Sequence, residues 1–201
     1  MGYQVLLDIL GAMFIGGILM LSLFQVNTNT VLNLGYYNTD FLLQQNLLML
    51  VRQIESDLKR IGYSQNIGII NSTRDAIITA DTSTITMVGD FDNSGSVDTV
   101  KYFIGPLSEL SASINPRDRI LYRQEGNNPA QKIFFGITVF DLTYFDPFGT
   151  EIPSPIPRAE TGAVASIQIS VRAESGDAYD SKYADVYWRQ IRLSARNLNN
   201  R

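Results

Sequence analysis

The stretch that most constrains this chain is Leu6 to Phe24, LLDILGAMFIGGILMLSLF. From Val5 to Val26 only Asp8, Ser22 and Gln25 interrupt an apolar run. At about 1.5 Å per residue, a helix of that length covers about 30 Å, the hydrocarbon thickness of a bilayer. A helix that is apolar on every side belongs in lipid or among other apolar helices. A plain single-pass anchor and an uncleaved signal segment meet the same length criterion. A secretory signal, however, has a basic leading region and a shorter apolar core. Here Asp8 and Asp40 are the only ionised side chains before Arg52, the first basic residue. The missing basic flank fits removal of a short leader ahead of Met1.

Nothing after Val26 forces the helix to stop. Asn27 to Thr30 and Gly35 weaken it locally, but no proline intervenes. Leu43, Leu47, Val51, Ile54, Leu58 and Ile61 are spaced by three or four, which predicts one buried stripe on an amphipathic helix. Arg52, Glu55, Asp57, Lys59 and Arg60 fall off that stripe, with Glu55 and Lys59 set for an i,i+4 pair. Gly62 is placed to end the helix. One helix from about residue 3 to 61 is therefore expected: an apolar part over residues 1–27 and an amphipathic continuation over 28–62.

Beyond Gly62 the period becomes strand-like. IGII, AIITA, STITMVG, DTVKYFIG, RILYRQEG and QKIFFGI are short β-branched or aromatic runs between turn residues. ITVFDLTYFDPFG reads as a strand through Val139, Leu142, Tyr144 and Phe145 with a small register change. EIPSPIPRAETG reads as a proline-rich loop. AVASIQISVRAE alternates Ile167, Ile169 and Val171 with polar neighbours, as a half-buried antiparallel strand does, and YADVYWRQIRLSARNL closes the chain as its partner. The fold class is thus α+β, a long N-terminal helix on an antiparallel sheet. Residues 63–201 form the sheet head, and 28–201 make one globular domain.

Composition narrows the function classes. The chain has 201 residues, 45% of them hydrophobic, which is enough for a real core. Its net charge of −4 supplies no basic field for nucleic acid. Without cysteine there are no disulfides or thiolate metal sites. Without histidine the commonest general base is missing. No cleft of converging carboxylates is legible either, so the chain is read as a non-enzyme.

One turn has ligand-like spacing. DFDNSGSVD puts Asp90, Asp92, Ser94 and Asp98 at positions one, three, five and nine of a loop, with Gly95 at six and Ser96 at seven. That order wraps oxygens around a point, as in a calcium loop. Position twelve is Lys101, where a bidentate glutamate is expected. The other reading is a solvated hairpin turn, since Asp, Asn, Ser and Gly are what turns use.

An apolar N-terminal helix continuing into an amphipathic half on a sheet resembles the outline of type IV pilins and type II secretion pseudopilins. VRQIESDLKRIGYS is similar to the end of the long helix in minor pilin W and pseudopilin J. DFDNSGSVDTVKYFI resembles their acidic turn and following strand. ITVFDLTYFDPFGTEIP with VASIQISVRAES resembles their late strand pair, and RQIRLSARNLNNR resembles their arginine-rich ending. The resemblance implies a structural subunit of an extracellular or periplasmic filament. Its partners would be copies of itself or other pilin-like subunits, after residence in the cytoplasmic membrane with the head outside. It also implies a leader peptidase and an assembly platform. The other class considered is a single-pass, membrane-anchored extracytoplasmic binding module that does not polymerise.

The family's fifth mature residue is usually glutamate. If Met1 is the mature first residue, that position holds Val5, and the nearest acid is Asp8, one helical turn on. If Met1 is the initiator, the basic leader of the family is missing. A carboxylate at membrane depth is costly and usually has a partner. In a filament that partner would be the amine of Met1 on a neighbouring subunit. Otherwise Asp8 is a hydrated interfacial acid. Gly11, Gly16 and Gly17 let helices approach closely and lower the resistance to local unwinding, which the family uses on leaving the membrane. Ordinary glycine tolerance in a membrane helix is the alternative.

Overall fold

The computed structural model describes residues 2–65, 70, 73–179 and 182–193. A single helix, α1 (Gly2–Lys59), is followed by a short helical turn, Thr73–Ala76, and eight strands. The strands are β1 (Ile77–Ala80), β2 (Thr84–Gly89), β3 (Asp98–Ile104), β4 (Arg119–Glu125), β5 (Gln131–Phe145), β6 (Glu151–Ile152), β7 (Ser166–Tyr179) and β8 (Lys182–Leu193). All pairings are antiparallel. The sheet order is β1-β2-β3-β4-β5-β7-β8, with β6 paired to β5. The class is α+β, as the change of period along the sequence predicts.

At 58 residues, α1 is about 87 Å long. It runs through Asn27–Thr30 and Gly35 without a break. Hydroxyls in the weak region are satisfied locally: Thr30 Oγ1 donates to the Val26 carbonyl at 2.8 Å, and Ser22 Oγ to that of Ile18 at 3.0 Å. Such back-bonding lets a hydroxyl sit on an apolar helix without an unmet donor.

The expected stripe is the buried one. Leu43, Leu47, Val51, Ile54, Leu58 and Ile61 all join the core, together with Leu50. They meet the inward residues of the sheet, among them Ile77, Met87, Val100, Tyr102, Leu121, Ile137, Leu142, Tyr144, Ile169 and Val171. Glu55 and Lys59 pair at 3.7 Å on the outer face. Asp57 departs from expectation: it is buried rather than off the stripe. Its Oδ2 accepts from Tyr102 Oη at 2.6 Å and from Arg123 Nε at 2.7 Å, so the last turns of the helix are tied to β3 and β4.

The chain leaves α1 through Gly62, whose φ is +70° and whose amide donates to the Val88 carbonyl. The helix end then lies so close to β2 that a Cβ on Gly89 would stand 2.4 Å from the Arg60 carbonyl oxygen. Only glycine fits there.

Other sequence expectations need adjustment. IGII falls mostly outside the described residues; Ile70 is buried but lies in a bend. QKIFFGI and ITVFDLTYF form one strand, β5, whose register irregularity lies between Ile137 and Val139. Because of it Phe140, Leu142 and Tyr144 face the core, while Val139 is only half-buried. The proline-rich loop contains β6 and an isolated bridge between Ala80 and Ile156. Proline cannot donate to a ladder, so these pairings are short.

Candidate functional site

Two features stand apart from the folded head: the bare half of α1 and the acidic turn. The first holds the candidate assembly residues. The helix is long and apolar enough to cross a membrane, and none of its most apolar window is buried by the rest of the chain. Leu43 is the first helix residue that is fully buried, whereas large apolar side chains from Tyr3 to Phe24 stand in the open. Val5 is 57% exposed, which rules out any packing role within this chain. Asp8 is exposed too and has no hydrogen-bond or ion-pair partner among the described residues. A Cβ on Gly11, Gly16 or Gly17 would meet nothing within 4 Å, so the three glycines leave open notches in the helix surface. Met1 lies outside the described residues. An apolar surface this large exceeds the few hundred square ångströms a monomeric soluble protein exposes, and marks a membrane or protein interface.

In the acidic turn Asp90 is fully buried. Its two carboxylate oxygens accept from the amides of Ser94 and Gly95, each at 3.0 Å. Asp92 accepts from the Ser94 amide at 2.9 Å, and Ser94 Oγ from the Ser96 amide at 3.2 Å. Asn93 and Gly95 take positive φ to close the loop. The turn is fastened to the end of α1: Arg60 donates to the Phe91 carbonyl, Gln65 to that of Asn93 at 3.2 Å, and the Asp90 amide to the Tyr63 carbonyl at 2.8 Å. Asp90 thus organises the turn from inside.

Asp92, Asp98 and Glu125 border one cavity of about 180 Å³. The hydrogen bonds from the Ser94 side chain and amide hold the Asp92 carboxyl below its ordinary range. Partial burial, then the charges of Asp92, Asp90 and Glu125, push the Asp98 carboxyl up. Among the described residues no group of three or more carboxylates is arranged to hold a metal ion. The hydrogen bonds of the turn run through Asp90, Asp92, Ser94 and the Ser96 amide, and Asp92 and Asp98 also border the cavity with Glu125.

Sequence reasoning missed a third feature. Asn115, Arg117, Asp118 and Ser113, in the segment before β4, meet Glu174 and Ser175 of β7. Asn115 Nδ2 donates to Glu174 Oε2 at 2.9 Å, and Arg117 Nη2 donates to the same oxygen at 2.7 Å. Ser113 Oγ donates to Asp118 Oδ2 at 2.6 Å. Burial, then the nearby Glu174 charge, pushes the Asp118 carboxyl up, against the hydrogen bond from Ser113. Beside this cluster, where α1 passes the start of β5, lies a cavity of about 410 Å³. Its parts come from distant segments, so no short motif announces it.

No family model matches this chain, and no curated protein matches it either.

Proposed function

We propose that the chain is a pilin-like structural subunit, held in a membrane by its apolar helix and then built into an extracellular or periplasmic filament with copies of itself or related subunits. One observation carries this reading: a single helix, Gly2–Lys59, seals the sheet with its last turns and leaves its apolar first half exposed. The bare part is longer than a bilayer core requires. A membrane anchor needs only about 20 residues, and the remaining turns up to Leu43 present further exposed apolar side chains, including Val31, Leu32, Leu34 and Phe41. Contact with neighbouring helices would cover them.

Packing of greasy helices tolerates sliding, because one methylene contact resembles another. A buried ion pair does not, since leaving one partner alone costs about 3–5 kcal/mol. Asp8 would set the register by pairing with the amine of Met1 on an adjacent subunit, provided that Met1 is the mature first residue. Gly11, Gly16 and Gly17 would let the helices close up around it.

The test is mechanical shearing of cells that express the chain, with filament protein measured relative to the membrane pool. Wild-type protein is expected in the sheared fraction. Asp8→Asn, which keeps shape and removes the charge, is expected to insert normally and yield fewer filaments. A wild type that stays entirely in the membrane would overturn the filament reading in favour of an anchored binding module. Unchanged yield from Asp8→Asn would leave Asp8 as a hydrated interfacial acid.

A further inference from the structure

We propose that the turn at residues 146–150 makes a head-to-tail contact, in which the Phe148 ring of one copy enters the groove between α1 and the start of β5 on a second copy. Phe148 is 93% exposed. It stands on a turn that is pinned from within. The Asp146 carboxylate accepts from the amide of Phe148 at 2.9 Å and from that of Thr150 at 2.7 Å. The Asp146 amide donates to the Thr150 carbonyl at 2.9 Å, and the Gly149 amide to the Asp146 carbonyl at 3.0 Å. Asp, Pro and Gly are what such a turn uses, and an aromatic ring adds nothing to its geometry. A ring held out on a fixed backbone loses little freedom when it is buried, which suits a binding anchor.

The groove has the matching chemistry. It holds about 330 Å³, and an apolar cavity of about 150 Å³ already takes a benzene ring. Met49 and Leu50 line it from α1, and Ile133, Phe134 and Phe135 from β5. Met49 is 65% exposed and Phe135 57%, so the groove opens outward. Aromatic rings and a thioether sulfur are favourable partners for an entering ring. The polar lining residues, Asn46 and Gln53, are uncharged, so no charge is stranded when the ring enters.

Charge around the two parts is complementary. Arg52 and Lys132 are exposed and adjoin the lining residues Gln53 and Ile133. Neither makes an ion pair among the described residues. Asp146 and Glu151 flank the turn that carries Phe148. Opposite charges around an apolar anchor fix register and disfavour other approaches. Within one chain the ring and the groove do not meet, because the β5 stretch from Phe135 to Phe145 is about 30 Å of extended strand between them. The occupant is therefore a second copy. Ring and groove are different patches, so each pairing leaves one of each free for the next copy. The contact lies in the heads and stands whether or not the apolar helices form a filament core.

The chain has no cysteine, so the experiment mixes two single-thiol forms of the full chain. Thr150→Cys places a thiol beside the ring, and Gln53→Cys places one in the groove. Both are held in non-ionic detergent, with micelles in excess over protein. A short bismaleimide is expected to join them into a mixed dimer, and to give little dimer from either form alone. Phe148→Ala, added to the Thr150→Cys chain, changes a nearly fully exposed side chain. It is expected to leave the melting temperature unchanged and to lower the mixed dimer about tenfold or more, as loss of an aromatic anchor does. Met49→Glu, added to the Gln53→Cys chain, puts a charge on the exposed wall of the groove and is expected to do the same. Absence of a mixed dimer, equal dimer from either form alone, or undiminished yield with either substitution would each overturn the proposal. Separate micelles keep the apolar helices apart, so failure here counts against the head contact alone and leaves the filament reading to the shearing test.

Discussion

Asp118 shows how a single buried acid should be visible in stability. Its carboxyl is pushed above the ordinary range by burial and then by Glu174, with Arg117 and the Ser113 hydroxyl pulling the other way; the facing residues of α1, Leu43 and Asn46, carry no charge. A carboxyl whose folded value is raised binds more protons in the native than in the unfolded chain. Stability therefore falls as pH rises from the ordinary carboxylate value through the raised one, and the penalty is complete above it. Asp118→Asn should accordingly raise the melting temperature at pH 7 relative to wild type, and the gain should vanish near pH 3, where both chains are neutral at this position. A variant that is less stable at pH 7 would mean that the charge is compensated in the native state. Asp8 is the opposite kind of acid, exposed and without a partner among the described residues; under the proposed filament reading its effect would be felt in assembly rather than in folding.

At the scale of elements, the sequence was most readable where a period runs unbroken. The stripe from Leu43 to Ile61 and the alternation at Ile167, Ile169 and Val171 each repeat often enough to specify a face, and those faces are buried. What periodicity could not carry is a polar group inside an apolar face. Asp57 sits in the last turns of α1 among charged neighbours, where an acid ordinarily meets water, and its partner Arg123 is 66 residues away. Nothing local links the two. The Asp118 cavity is hidden for the same reason, since it joins α1, the segment before β4, β5 and β7. The acidic turn carries two readings at once in the sequence, because residues that chelate calcium are also those that cap a turn.

Asp57 is the fastening between helix and sheet. Against the opposing effect of burial, the hydrogen bonds that Arg123 donates to Asp57 and Glu125 raise its guanidinium, and burial with the Asp57 charge raises the Tyr102 hydroxyl well above its usual range. Asp57→Ala leaves Arg123 and Tyr102 buried without an acceptor and is expected to cost about 3–5 kcal/mol in denaturant unfolding of the full chain in detergent. A loss below about 1 kcal/mol would place this pair with surface ion pairs of little consequence.

The whole molecule divides its long helix into a part packed on the sheet and a part left bare. From Leu43 onward the helix belongs to the head, and before it the helix offers an apolar surface that the chain itself does not cover. Lipid would cover that surface in a membrane, and neighbouring helices would cover it in a filament. The chain has no cysteine, so a single introduced thiol reports one position without background. Met13, 71% exposed on the apolar half, is suited to this because a short cross-linker there spans only adjacent helices. The deciding measurement is cross-linking of Met13→Cys in sheared material. A bundle of apolar helices should give a covalent dimer that disappears on reduction, since one thiol per chain can be joined to only one neighbour. Monomer alone, under conditions that cross-link a control thiol of known proximity, would contradict a filament core built from these helices.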